Sequence, residues 1–137
     1  METSNSKFQF KGYKIRKSLI ELDENSSFEN LKIAFNVSGI AKRIENEFIL
    51  NLLVLIKNNE NDLRIEVDTT ANFQFEKVDN IEDISGFFYV NAPAILFPYI
   101  RAYISTLTNL SGNRSITLPT MNLINLAEEL KTNTKIV

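Results

Sequence analysis

The sequence contains no cysteine and no histidine. Without thiols there is no disulfide scaffold, no thiolate nucleophile and no cysteine-based zinc site. Without imidazole the chain lacks the commonest general base at neutral pH and the commonest transition-metal ligand. Glycine is scarce, at four residues, and none sits in a phosphate-binding loop. Long hydrophobic runs are missing too: the strongest stretches, residues 48–56 and 92–97, fall far short of the ~20 residues that span a bilayer. The opening Met1-Glu2-Thr3-Ser4-Asn5-Ser6-Lys7 has no basic region followed by an apolar one, so no signal peptide is expected and the protein is read as cytoplasmic. A net charge of −2 lacks the basic excess that binding to a phosphate backbone requires, which argues against a nucleic-acid partner.

What remains is enough for one compact domain. The chain has 137 residues, 44% of them hydrophobic, and is read as a single domain over 1–137. Its first half, 6–78, carries strand signals. Phe8 and Phe10 alternate with polar neighbours, Gly12 shifts the phase as a bulge would, and Tyr13 and Ile15 continue the alternation. After a polar cluster at 23–27, Leu31, Ile33, Phe35 and Val37 recur at period two. Residues 48–56 are apolar on both faces, as suits a central strand. Beyond the polar turn 57–62, Leu63, Ile65 and Val67 begin an apolar face that continues through Ala71, Phe73 and Phe75. Short polar turns between four strands predict an antiparallel meander.

The second half, 80–131, changes period. Asp79 or Asn80 can cap a helix with Glu82 and Asp83 in its first turn. Residues 92–110 carry Leu96, Ile100, Tyr103, Ile104, Leu107 and Leu110 at helical steps, with Pro98 expected to kink or restart the helix and Gly112 to end it. Residues from Leu123 to Glu129 begin a short last helix. Strands first and helices second define an α+β class. One long helix cannot hide all the apolar positions of such a sheet, so the excess predicts a second subunit or a bound client. In Phe87-Phe88-Tyr89, neighbours lie about 100° apart on a helix, so at least one ring should reach solvent or a groove. The acidic residues Asp23, Glu24, Glu76, Asp79, Glu82 and Asp83 are read as solvated surface, because their spacing fits no calcium loop.

The segment Pro93-Ala94-Ile95-Leu96-Phe97-Pro98-Tyr99-Ile100-Arg101 resembles the ILFPY-x-R signature of SecB, the bacterial export chaperone. Leu118-Pro119-Thr120-Met121-Asn122-Leu123 is similar to that family's LAPVNF segment, with the proline displaced by one residue. Glu66, Val67 and Phe73 keep the spacing of the family's last strand, so the likeness covers about residues 66–126. The resemblance implies a four-stranded antiparallel sheet followed by a long helix and a short C-terminal one. It also implies no enzyme activity, no catalytic residues, no cofactor and no metal.

On that resemblance the function is ATP-independent holding of unfolded or extended polypeptides in an apolar groove, with service in protein export. The alternative is a dedicated chaperone of a single client such as an antitoxin or regulatory protein. Candidate groove residues are Phe87, Phe88, Tyr89, Leu31, Ile33, Phe35, Leu123, Ile124 and Leu126; candidate oligomer contacts are Leu96, Ile100, Tyr103, Ile104 and Leu107. The partners implied are unfolded polypeptides and further copies of the chain, as a dimer of dimers. SecA is a weaker candidate partner, because its docking uses acidic patches, whereas this chain is nearly neutral and ends Lys131-Thr132-Asn133-Thr134-Lys135-Ile136-Val137. The glutamate that follows the signature arginine in the family is Ala102 here, which removes a charge contact for Arg101.

Overall fold

The computed structural model describes residues 8–76, 86–120 and 123–137, without the side chain of Phe87. Asp79, Asn80, Glu82 and Asp83, the helix start predicted from them, and Met121 and Asn122 lie outside the described residues. The elements are β1 (Phe8–Leu22), β2 (Lys32–Lys42), β3 (Glu47–Lys57), β4 (Leu63–Phe75), α1 (Gly86–Leu110), α2 (Ile124–Thr132) and β5 (Thr134–Ile136).

The α+β class holds, but the sheet differs from the expected four-stranded antiparallel one in two ways. It has five strands in the order β1-β4-β3-β2-β5, and β5 runs parallel to β2. Strands β2, β3 and β4 form the expected hairpins, whereas β1 pairs with β4 and not with β2. This is Greek-key order, not a meander. The reason lies in the connection 23–31, which is longer than the roughly two to five residues of a hairpin loop and crosses the ends of two strands. It is tied to the β3–β4 turn that it passes. Asp23 N–H and Ser26 Oγ donate to the Asp62 carbonyl, at 3.3 and 2.9 Å, and Asn58 Nδ2 donates to the Ser27 carbonyl at 3.1 Å. Strand β5 lies beyond residues 80–131, the part read as helical, where no strand is expected from the sequence. No three-residue strand carries a legible period, and its existence depends on the edge of β2.

Alternation decides which face is covered. Phe48, Leu50, Leu52, Val54 and Ile56 of β3 and Leu63, Ile65, Val67, Ala71 and Phe73 of β4 are almost wholly buried on one face. Helix α1 lies over that face: the Phe88 ring stands 4.9 Å from Phe48 and 5.5 Å from Phe73, both edge-on, a favoured aromatic geometry. The opposite face is mixed, with half-buried Leu19, Ile49, Leu53 and Leu55 among Asn51, Asp68 and Thr70. The phase shift expected at Gly12 occurs between Phe10 and Gly12, where Gly12 has φ +121°, and a second bulge lies between Ile15 and Lys17. These two shifts keep Phe8, Phe10, Ile15 and Ile20 on the helix side along a strand of 15 residues.

Helix α1 begins earlier than position 92 and runs through both Pro93 and Pro98 without a break. Pro98 deprives the Ala94 carbonyl of its helical donor, and both residues are exposed, so water can satisfy that group. The helix ends at a Schellman motif, with Asn113 N–H on the Thr108 carbonyl, Gly112 N–H on that of Asn109, and Gly112 at φ +82°. Thr108 is buried at no cost in lost partners: its hydroxyl donates to the Ile104 carbonyl and accepts from Ile116 N–H, holding the segment after the helix against it.

Candidate functional site

The site is built from the inner-face positions that α1 leaves incompletely covered. At the start of β2, Leu31, Ile33 and Phe35 are half-buried, as is Phe28 in the crossing connection, while Val37 further along is fully buried. Phe97 reaches from α1 to Phe35, with ring centroids 6.0 Å apart. Its other flank helps line a depression of about 440 Å³ with Pro98, Arg101, Ala102, Ser105, Thr117 and Thr120. Helix α2 packs against both α1 and β2, burying Leu126 and leaving Leu123 half-buried and Ile124 exposed. The result is an apolar ledge along one end of β2, walled by α1 and α2.

The sequence candidates separate on this framework. Leu31, Ile33 and Phe35 lie on the ledge, while Leu123 is half-buried just before α2 and Ile124, the first residue of α2, is exposed. Phe88 and Tyr89, expected to line a groove, are instead core: successive residues both reach inward because one meets the β3–β4 surface and the other the C-terminal strand. Tyr89 hydrogen-bonds Thr134, and its burial pushes the phenol above its ordinary pKa. Leu126 is likewise packed inward. Of the candidate oligomer contacts, Leu96, Ile100 and Ile104 are fully buried within the chain itself, on a helix face where every fourth residue from Phe88 to Thr108 is buried. Tyr103 and Leu107 are half-buried, and Tyr103 shares a hydrogen bond of 2.5 Å with Ser18.

Two residues of the site were not singled out from the sequence as groove-forming. Phe97 sits within the signature segment, but only the packing of α1 turns it toward Phe35. Phe28 lies in a polar cluster, where one aromatic gives no periodic signal. Arg101 is exposed and forms no ion pair among the described residues.

Charge is gathered on the other face of the sheet. Glu66 accepts from Lys17 Nζ at 2.8 Å and from Arg64 at 3.1 Å. The hydrogen bonds from Lys17 and then Arg64 hold its carboxyl below the usual glutamate pKa, against the opposing effect of burial. Among the described residues no group of carboxylates is placed to hold a metal ion, and no helix is long and apolar enough to cross a membrane.

A mixed five-stranded sheet with one helix-covered face and a tied crossing connection gives this chain a SecB-like fold. The SecB-like chaperone Rv1957 of Mycobacterium tuberculosis, solved in complex with a ChAD peptide from the Rv1956 HigA1 antitoxin, superposes with a TM-score of 0.70 at 16% identity, over 84% of this chain and 88% of that one. A protein of unknown function from Streptococcus agalactiae gives a TM-score of 0.45 at 12% identity, over 82% of this chain and 97% of that one. No curated protein matches the sequence. The family described as preprotein translocase subunit SecB matches residues 17–133. The chain belongs to the SecB family.

Proposed function

We propose that this protein is an ATP-independent holdase that shields extended, non-native polypeptides on the ledge formed by Phe28, Leu31, Ile33, Phe35 and Phe97. The observation that carries this reading is the incomplete cover of that row: whereas the inner-face residues of β3 and β4 are almost fully buried, Phe28, Leu31, Ile33, Phe35 and Phe97 stay half-buried at the β2 side of the sheet, as Phe8, Phe10, Ile15 and Ile20 do along β1. Burying client side chains there is favourable by about 25 cal/mol per Å². A broad apolar surface discriminates by hydrophobicity and extension more than by sequence. Enzyme activity forms no part of the reading: the family is one of chaperones, and the charged triad around Glu66 is an ion-pair network on an open sheet face.

The dedicated-chaperone alternative is favoured by one observation, the likeness of the fold to a chaperone solved with an antitoxin peptide. The two readings part on one experiment. A chemically unfolded client is diluted into buffer with the purified protein and no nucleotide, light scattering is followed, and the mixture is passed over a sizing column. Suppression with several unrelated clients and a co-eluting complex supports general holding. Suppression confined to one partner favours the dedicated role, and no suppression of any client overturns both.

A further inference from the structure

Helix α1 carries a single charged residue, Arg101. Counter-charge is missing well beyond the helix. Of the chain's 17 aspartates and glutamates none falls within residues 86–127, where Arg101 and Arg114 are the only charges. Arg101 is exposed and forms no ion pair among the described residues. It lines the depression of about 440 Å³ together with Phe97, Pro98, Ala102, Ser105, Thr117 and Thr120. The depression thus combines an apolar flank, three hydroxyls and one guanidinium, with no carboxylate. Its wall is built before anything binds. Ser115 Oγ donates to the Ser105 carbonyl at 3.2 Å and Ile116 N–H to the Thr108 hydroxyl at 2.9 Å, which fixes the segment leading to Thr117 against α1.

We propose that this depression binds the side-chain carboxylate of an acidic residue in the held polypeptide, close to an apolar residue seated on the ledge. This deepens the holdase reading and rests on it. Two relationships carry it, charge complementarity and continuity with the ledge. A planar guanidinium meets a carboxylate through two parallel hydrogen bonds, and the Thr117 and Thr120 hydroxyls bring further donors. The continuity is Phe97, whose ring meets Phe35 on the ledge while its other flank lines the depression. From Phe97 to Arg101 is four helical residues, about 6 Å. An extended chain covers that in two residues at ~3.3 Å each, which places the acid about two positions from the apolar anchor. One guanidinium is too little for a nucleic acid, whose binding rests on many phosphate contacts. The site therefore adds a charge preference to a surface that otherwise selects by hydrophobicity and extension.

The test uses two capped synthetic peptides that share a phenylalanine anchor and differ only in glutamate or glutamine two residues beyond it. Binding is followed by fluorescence anisotropy on the full chain. The glutamate peptide is expected to bind roughly three- to tenfold more tightly than the glutamine peptide. In Arg101→Gln that ratio should fall to about one, with the glutamine peptide bound as by the parent chain. Arg101→Lys keeps the charge without the fork and should retain only part of the ratio. Arg114→Gln removes the same charge outside the depression and should leave the ratio unchanged. A ratio of one in the parent chain, or one that survives Arg101→Gln, overturns the acidic subsite and leaves holding by the ledge intact. A glutamine peptide ending in a free carboxylate at the test position probes the other source of that group. If it alone gains affinity from Arg101, the depression reads chain ends and side-chain recognition is overturned. A shift of Arg101→Gln on a sizing column assigns the depression to contact between copies and also overturns the subsite. Failure to bind either peptide, in a protein that does suppress aggregation, overturns the subsite alone. Failure in both assays overturns the holdase reading with it.

Discussion

Phe35 of β2 and Phe97 of α1 stand with ring centroids 6.0 Å apart and planes inclined by 56°, each side chain only half-buried. Their contact joins the β2 edge of the sheet to the signature helix, where the inner face is incompletely covered. Fully burying both rings inside the chain would require the helix to sit nearer β2. As it stands, each ring keeps apolar area in reserve for something else.

Phe35→Ala and Phe97→Ala should therefore separate function from stability. Each should cost about 1–2 kcal/mol of folding free energy, below the ~3–5 kcal/mol typical of a fully buried phenylalanine. Each should weaken client capture roughly tenfold, as loss of an anchoring aromatic does. Leu96→Ala, in the closed core, should show the opposite balance: a loss of about 2–5 kcal/mol with client affinity of the folded fraction unchanged. Denaturant melts and light scattering, run on the same preparations, check both.

Asn58 is the most heavily bonded residue of the turn that holds the crossing connection. It is buried, its amide donates to the Ser27 carbonyl and to Asp62 Oδ1, and its carbonyl oxygen accepts from the N–H groups of Asp62 and Leu63. Asn58→Ala strands several of these groups and should cost about 2–3 kcal/mol. Faster hydrogen exchange across residues 23–31 should accompany the loss, and the ledge residue Phe28 should loosen with them.

Gly39 is required by contact and not by φ. A Cβ there would meet the Phe48 ring and Thr134 Oγ1, the ring at a distance no real side chain adopts. Gly39→Ala forces either the ring or β5 to move and should cost about 1–3 kcal/mol. Displacement of β5 should show as rapid exchange of the Val137 amide, which otherwise bonds Ala41. A melt indistinguishable from the parent chain would refute the packing argument.

Glu66 and Tyr89 each contribute to the pH dependence of stability. The Glu66 carboxyl is held below its ordinary pKa by Lys17 and Arg64, so the folded state binds fewer protons there than the unfolded chain. Its contribution is present above the ordinary glutamate range and is lost as pH falls through the lowered folded value. Tyr89, raised by burial, acts with the opposite sign: its contribution is present below its ordinary value near 10 and is lost as pH rises through the folded one. Glu66→Gln should flatten the acid side of a melting-temperature profile and leave the alkaline side alone, while Tyr89→Phe should flatten the alkaline side.

Much of this architecture is written in local alternation and helical stripes. The period-two runs of β2 and β4, the doubly apolar β3, the bulge at Gly12 and the stop at Gly112 each rest on neighbours within a few residues, and each lies where that pattern puts it. The signature at 95–101 likewise identified the family without reference to the sheet. What the sequence could not convey is which nonlocal partner each surface meets. The place of β1 beside β4, the capture of residues 134–136 by β2, and the inward turn of both Phe88 and Tyr89 depend on contacts between residues far apart in the chain. The same holds for the ledge. Period two marks Ile33, Phe35 and Val37 alike as one apolar face, but Val37 is buried while the other two stay half-open, because the area a side chain keeps is set by whatever packs above it.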